Sequence, residues 1–418
     1  MSQRAPSTVV GAALFVAVCI AVGQAATYAL NLVAARRLGP ASFGELASLL
    51  GILAIGNVVA LGVQAVAARR IVVADLEVRD GVSAAVLRAA LPAGLGVAAG
   101  VVVTLPVTVA LLHLSGPIDV LLVAMALVPL TVVGGQLGVA QGNESSRVLG
   151  LSYLTGGVAK SAGGIAGAVL TTSVTGTLLG LAVGSVAGAT VIQLLVRHLV
   201  GGRPEPLPGL RSEVLHASHA LAALFVLTNV DLLLARHFLT PVYAGIYAAG
   251  SIVVKVAFWL PQAIIVLAFP GMADHRRRRA LVLGGTAVAL LASVIVLGAW
   301  LFPQFVVAVV GGAAYAALAP IVWMFALLGG AQSLAQFLLY SRLAVEDRRA
   351  VLALWTGVAA LVTVVWVGPH STPRDIVLDA TAVILALCIA GALLARAELS
   401  HEDAPDLSGA TPVQDPST

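Results

Sequence analysis

Lysine, cysteine and charge are what this sequence has least of. Only 10% of its 418 residues are charged, and 60% are hydrophobic. A soluble domain carries about 25% charged residues. Mean hydropathy is +1.03. Together these values exclude a soluble protein folded around one core and leave a polytopic membrane protein. The two cysteines, Cys19 and Cys388, both fall in apolar runs, which excludes a disulfide framework or a cysteine-based metal site. No glycine-rich loop of the Walker kind is present, so the chain does not itself hydrolyse ATP. The apolar runs are long and continuous, without the period-2 alternation of barrel strands. The first run, about residues 8–34, is too long for the h-region of a cleavable signal. The net charge of +4 sits in loops between apolar runs. There it sets membrane topology and does not point to nucleic acid.

A bilayer span takes about 20 apolar residues. On that ruler twelve helices are expected, over residues 9–34, 43–67, 89–113, 119–140, 148–171, 175–196, 214–238, 242–269, 281–309, 314–340, 350–368 and 376–396. With the N-terminus in the cytoplasm, seventeen arginines fall in cytoplasmic segments. Only Arg36, Arg37, Arg236 and Arg374 fall outside. That bias fits a multi-pass cell-membrane protein with both termini cytoplasmic.

The chain divides near its middle. Residues 197–213 are rich in Pro and Gly, as linkers are. The expected organisation is an N-terminal six-helix lobe (1–200), a cytoplasmic linker (201–212), a C-terminal six-helix lobe (213–397) and a disordered cytoplasmic tail (398–418). An internal echo supports two similar halves. Residues 31–36 read Asn-Leu-Val-Ala-Ala-Arg and residues 231–236 read Asp-Leu-Leu-Leu-Ala-Arg. Pro40 and Gly44 follow the first, and Pro241 and Gly245 follow the second. Six spans per half keep the halves parallel, related by an axis along the membrane normal. Pro261 and Pro320 lie inside spans and should kink them.

The chain's two lysines, Lys160 and Lys255, both lie within spans, one in each half. Counted from the span ends, each is ~18–20 Å deep, near the bilayer midplane. An ionisable group at that depth faces the protein interior and is a functional candidate. A central site for an anionic head group needs such cations; a structural role beside a buried carboxylate is the competing reading. Asp231 lies ~10 Å below the outer surface. Partners open to it are Lys255, Arg236, Arg36 and Arg37, and a proton or cation site is the functional alternative. Glu45, near the outer end of the second span, is a second ion candidate or an end-cap. Arg36, Arg37 and Arg236 form a basic rim for phosphate or snorkel to the interface. The amides Gln24, Asn31, Asn57, Gln64, Gln136, Asn229 and Gln262 either hold helices together or bond a hydroxyl-rich ligand. His113 and His370 read as lone boundary residues. Every outer loop is short and none holds an acidic or histidine cluster. That opposes an enzyme, and a membrane glycosyltransferase in particular.

The passages LNLVAARRLGPASFG (residues 30–44) and DLLLARHFLTPVYAGIY (residues 231–247), with Pro270 after the eighth span, resemble the Wzx-type polysaccharide-export flippases of the multidrug/oligosaccharidyl-lipid/polysaccharide superfamily. The resemblance implies an all-α MATE-like protein with two lobes around a V-shaped cavity. It implies alternating access and transfer of a polyprenyl-diphosphate-linked oligosaccharide between leaflets for cell-surface polysaccharide. Lys160, Lys255 and Arg36 would match the basic cavity of that group, with Arg37, Arg236, Asn31 and Gln24 beside them. The implied partners are the bilayer, the lipid-linked glycan, H+ or Na+ as coupling ion, and a polysaccharide polymerase or glycosyltransferases. No cofactor is implied. A cation-coupled multidrug exporter of the same superfamily is the alternative. It would want a cavity dominated by carboxylates rather than lysines.

The topology is open to a direct check. A cysteine placed at Arg277 should react with a membrane-impermeant thiol reagent only after cells are permeabilised; labelling in intact cells would invert the assignment.

Overall fold

The computed structural model describes residues 6–262, 264, 277–343 and 349–402. These are helical almost throughout, and no strand occurs among them. Arg276, Arg348, Pro270 and most of the expected tail lie outside the described residues. The tail expected from residue 398 begins inside a helix that runs to Glu402.

Helix α1 (Pro6–Gly56) contains two spans. As one straight rod its 51 residues would be ~77 Å long, more than twice the hydrocarbon thickness. It breaks at Gly39, where φ is 73° and ψ 171°. A side chain meets steric conflict at that φ, so glycine is required there. Pro40 restarts the helix without needing a backbone donor. The second span continues through α2 (Val58–Val72). The N-terminal lobe then adds α3 (Arg79–Val103), α4 (Leu105–Leu111), α5 (Ile118–Gly142), α6 (Ser146–Thr171) and α7 (Val174–Val196). The C-terminal lobe holds α8 (Leu210–Leu227), α9 (Val230–Phe238), α10 (Pro241–Trp259), α11 (Arg277–Leu301), α12 (Pro303–Val310), α13 (Val322–Leu343), α14 (Arg349–Val367) and α15 (Pro373–Glu402).

Eight of the described helical runs are long and apolar enough to cross a membrane, and α8 with α9, bent by 45°, makes a ninth. The first of the eight, Gly11–Val72, folds at Gly39 into two. Helix α6, which carries Lys160, and the shorter apolar run Val351–Val367 complete the twelve segments read from the sequence. Two of the twelve are composite in a way that hydropathy hides. Residues 89–113 and 281–309 each end in a separate short helix, α4 and α12, and each of these has proline in its first turn. Pro261 does not kink α10 internally. The helix stops at Trp259 with Leu260 still in helical conformation (φ −58°, ψ −42°), and Pro261 has no N–H to continue its hydrogen bonds. Pro320 sits in a 3₁₀ stretch, Gly312–Ile321, that precedes α13.

Lipid tails are as apolar as leucine, so helices in a bilayer associate by close packing and small residues. Helices α6 and α7 follow that rule. A Cβ on Gly163 would lie 2.1 Å from the Gly180 carbonyl, and one on Gly167 2.0 Å from that of Gly176. Helix α6 meets α1 the same way, at Gly157 and Gly23. The C-terminal lobe packs around larger side chains, with Tyr247 against Phe325 (centroids 5.1 Å apart).

The two lobes meet at the echoed motifs themselves. A Cβ on Gly245 would fall 1.8 Å from the Pro40 carbonyl oxygen, and one on Gly44 2.7 Å from the Gly245 nitrogen. The first copy of the Pro-x-x-x-Gly repeat is thus seated on the second. On the inner half α2 crosses α8, where Gly62 faces Ser218.

Gly245→Ala should therefore separate the lobes or distort α1, and lower stability by about 1–3 kcal/mol, the usual cost of overpacking. Gly96→Ala, with nothing within 4 Å of the added carbon, is the control. Melting of the detergent-purified protein should fall for the first variant and hold for the second.

Candidate functional site

Lys160 is held by its backbone between α1 and α7. Gly184 packs against its Cα, and Ser161 Oγ lies 3.5 Å from Thr27 Oγ1 on α1. Lys255 sits on α10, one residue after the Val254 carbonyl that Gly329 of α13 packs against. Both lysines are partly buried. The ion pairs among the described residues are Arg69–Glu213, Arg70–Glu213 and Arg236–Glu45. Neither lysine is in one, and neither makes a side-chain hydrogen bond there.

Asp231, 3% exposed, does not bridge to Lys255. It accepts a 2.7 Å hydrogen bond from Tyr247 Oη, while the Lys255 charge is near enough to attract it across a gap. Asp231 also does not pair with Arg236. The carboxylate is fixed by a neutral hydroxyl in the interior of the C-terminal lobe, away from the arginines.

Those arginines join the lobes at the face that the distribution of basic residues along the sequence leads one to expect is the outer one. Arg36 Nη2 donates to the carbonyls of Ala308 (3.0 Å) and Val309 (2.8 Å), at the C-terminal end of α12. Arg236 Nε donates to the carbonyl of Leu112 (3.0 Å), the C-cap of α4. Each lobe's echoed arginine thus holds the carbonyl end of the other lobe's short helix. The last carbonyls of a helix have no internal partner and carry its negative pole. That makes them acceptors for a guanidinium. Arg236 adds Glu45 at 3.5 Å. Tyr315 Oη donates to the Ala35 carbonyl (2.9 Å). His237 Nδ1 lies 2.8 Å from the Leu111 carbonyl.

The basic rim expected of Arg36, Arg37 and Arg236 is in this conformation an interlobe clamp. The guanidiniums of Arg36 and Arg236 are engaged, and Arg37 is exposed. Glu45 is tied to Arg236 and does not extend to the interface. His113 is not solitary: its ring stacks on His237 of the other lobe (centroids 5.5 Å apart, planes at 18°). His370 packs on Phe238 at 4.2 Å. Asn31 spends its amide on Thr27 O within its own helix (2.8 Å). Gln24 is partly buried on α1. The remaining amides largely hold helices together. Gln64 donates to Tyr153 Oη and Gln141 Oε1, Gln136 to Gln193 Oε1, and Gln262 to Gln336.

Two acids escaped the sequence reading. Asp119, 4% exposed at the start of α5, has an oxygen without a hydrogen-bond partner among the described residues. So does Asp379, on α15 near Gly368. Both fall within the expected spans 119–140 and 376–396, and an intramembrane carboxylate was the signal that could have found them.

No protein-family model matches the sequence, and no curated protein matches it either. Solved structures do match in shape. The lipid II flippase MurJ in an inward closed conformation matches with a TM-score of 0.74 at 10% identity, over 93% of this chain and 87% of that one. An inward-facing multidrug resistance MATE family transporter matches with a TM-score of 0.71 at 12% identity, over 90% and 94%. A transporter of the same superfamily from Pyrococcus furiosus, noted for the reverse polarity of its binding pocket, matches with a TM-score of 0.64 at 13% identity, over 94% and 96%. At these identities the likeness shows the fold: a MATE-like, two-lobed bundle of transmembrane helices.

Removing one side of the outer clamp should loosen the seam. Arg236→Ala leaves Glu45 and the Leu112 carbonyl without a donor and should cost about 1–3 kcal/mol of stability. Arg36→Ala should cost less, because no carboxylate depends on it. Thermal melting ranks the two, and equal or absent effects would mean the clamp contributes nothing.

Proposed function

We propose that this protein is a membrane transporter that flips a polyprenyl-diphosphate-linked oligosaccharide from the inner to the outer leaflet by alternating access. The observation that carries the reading is the pair of lysines, one per lobe, each within an apolar helix and neither in a direct ion pair among the described residues, with Asp231 interacting with Lys255 only across a gap. A diphosphate crossing hydrocarbon needs cations at mid-depth, and a point charge on a flexible stem can follow it as the lobes rock. The two-lobed fold supports transport, and among the matching structures is a lipid II flippase.

In this reading Lys255 and Lys160 hold the diphosphate. The sugars occupy the polar interior between lobes, near Gln24 and Asn31, and the polyprenyl chain stays in lipid. Asp231, with Tyr247 on one oxygen and Lys255 nearby, is the coupling-ion candidate of the C-terminal lobe, with H+ or Na+ as the ion. Asp379 in the same lobe joins it. The second reading, a cation-coupled multidrug exporter, draws on the MATE likeness. It asks those carboxylates to face the cavity, whereas Asp231 is buried against Tyr247.

The test uses proteoliposomes and a fluorescent polyprenyl-diphosphate sugar. Lys255→Ala should lower flipping at least tenfold at normal folded yield, and Lys255→Arg should retain part of it. Normal flipping by Lys255→Ala would sink the reading. If Lys255 is instead only a partner of Asp231, Lys255→Ala should lower the melting temperature and Asp231→Ala should restore it. Ethidium efflux with no lipid flipping would turn the assignment to the exporter.

A further inference from the structure

The seam between lobes also carries a charged cluster where α2 meets α8. Helix α2 finishes on Arg69 and Arg70, and both guanidiniums converge on Glu213 at the start of α8. Arg69 Nη2 lies 2.7 Å from Oε2, and Arg70 reaches Oε1 with Nη2 and Oε2 with Nε (3.2 Å). Arg70 also holds the Pro208 carbonyl at 3.0 Å. Two cations share one carboxylate, and the carboxylate belongs to the other lobe. Arg69 remains 66% exposed and Arg70 27%. A cavity of about 630 Å³ opens beside Arg69, with Ala65, Val66 and Ala217 as its apolar wall and Arg69, Ser212, Glu213 and His216 as its polar one. A neighbouring cavity of about 500 Å³ adds Arg88 and Arg211, with Glu205 as its acid.

We propose that this inner end of the α2/α8 seam is a docking site for the phosphate of a lipid-linked anion, which binds Arg69 and Arg70 and displaces Glu213. The proposal rests on the transporter reading only for the lipid. Its place follows from the geometry. A guanidinium fork matches phosphate as well as carboxylate. A phosphate group carries more charge and more acceptor oxygens than the single carboxylate the two arginines now share. The cavity's mixed wall takes a charged head and the first part of an apolar chain together. The arginines lie at the cytoplasmic face, where an anionic lipid also gains from juxtamembrane cations. The tie being exchanged spans the lobes, so occupation by phosphate unlocks the inner seam. The lysines are then the second station and Arg69 and Arg70 the first.

The full-length protein, with Cys19 and Cys388 changed to Ala and spin labels on cysteines at Val73 and Leu215 (74% and 67% exposed), is placed in phosphatidylcholine nanodiscs. Undecaprenyl phosphate should lengthen the distance between labels, and uncharged undecaprenol should not. Arg69→Gln with Arg70→Gln should raise the apparent Kd for undecaprenyl phosphate at least tenfold and remove the response. Glu213→Gln, which keeps both arginines, should lengthen the distance without ligand and covers the case in which the double variant fails to fold. Unchanged affinity and response in the double variant would overturn the proposal, as would an equal response to undecaprenol or an unaltered distance in Glu213→Gln. An equal response to inorganic diphosphate at the same concentration would overturn the lipid as its ligand. Docking that survives while the protein flips nothing would count against the transporter reading alone. Flipping that persists with Arg69 and Arg70 removed would count against the docking site alone.

Discussion

Backbone touches backbone where the two lobes meet, and the rest of the arrangement is built around that crossing. Gly245 sits on the Pro40 carbonyl because neither it nor Gly44 has a side chain to hold the helices apart. In a bilayer no hydrophobic gain rewards burying apolar surface, so contact distance and polar bonds decide which helices stay together. The crossing brings the Gly39 break of α1 against the start of α10. The short helices α4 and α12 then lie within reach of the opposite lobe's arginine. Their terminal carbonyls have no partner of their own. Arg36 and Arg236 supply one from across the seam, and the same few residues that echo in sequence make the clamp reciprocal.

Reciprocity of position is not reciprocity of charge. Arg36 meets only carbonyls, whereas Arg236 meets a carbonyl and Glu45. The carboxylate of Asp119 lies close enough to Glu45 for their charges to interact. The outer seam therefore has Glu45 and Asp119 near the buried Arg236, with Arg36 engaged beside them and Arg37 exposed. The inner seam has two arginines around one acid, Glu213. Between them lie two lysines with no fixed counter-ion among the described residues.

Much of this was legible in the sequence, and the rest was hidden for identifiable reasons. The twelve segments were readable because hydrocarbon admits only long apolar helices. The two halves were readable because the echo at Asn31–Arg36 and Asp231–Arg236 survives with its Pro and Gly. Lys160 and Lys255 stood out by rarity. The short helices α4 and α12 did not, because Thr104 and Phe302 interrupt the backbone without interrupting the hydropathy. The arginine partners were unreadable in principle, since a carbonyl acceptor has no residue type. Depth counting placed Asp231 and Lys255 on neighbouring helices but could not say that Tyr247 would take the carboxylate first. His113 read as solitary because His237, its stacking partner, lies far along the chain in the other lobe.

Alternating access requires that both seams hold and that both can be opened. Hydrogen bonds to charged groups contribute about 1.5–3 kcal/mol each. The outer clamp has three arginine–carbonyl contacts and one ion pair; the two from Arg36 are exposed and weakened by solvent, and the buried Arg236 carries the rest. At the inner face Glu213 is shared by Arg69, which is exposed, and Arg70, which is part-buried, and the exposed pair contributes about 0–1 kcal/mol. In the transport reading proposed above, the Glu213 tie is one that an incoming anion can replace, and the Arg36 and Arg236 contacts are those that must release at the other end. A ligand shifts such an equilibrium only by the difference in its affinity for the two states. A phosphate that gains Arg69 and Arg70 when Glu213 leaves has that difference at the inner seam. At the outer seam it has none, because Arg36 and Arg236 already bond to protein carbonyls. Opening outward must instead come from a charge that weakens Arg236 against Glu45, and the carboxylates clustered there are the groups on which such a charge can act.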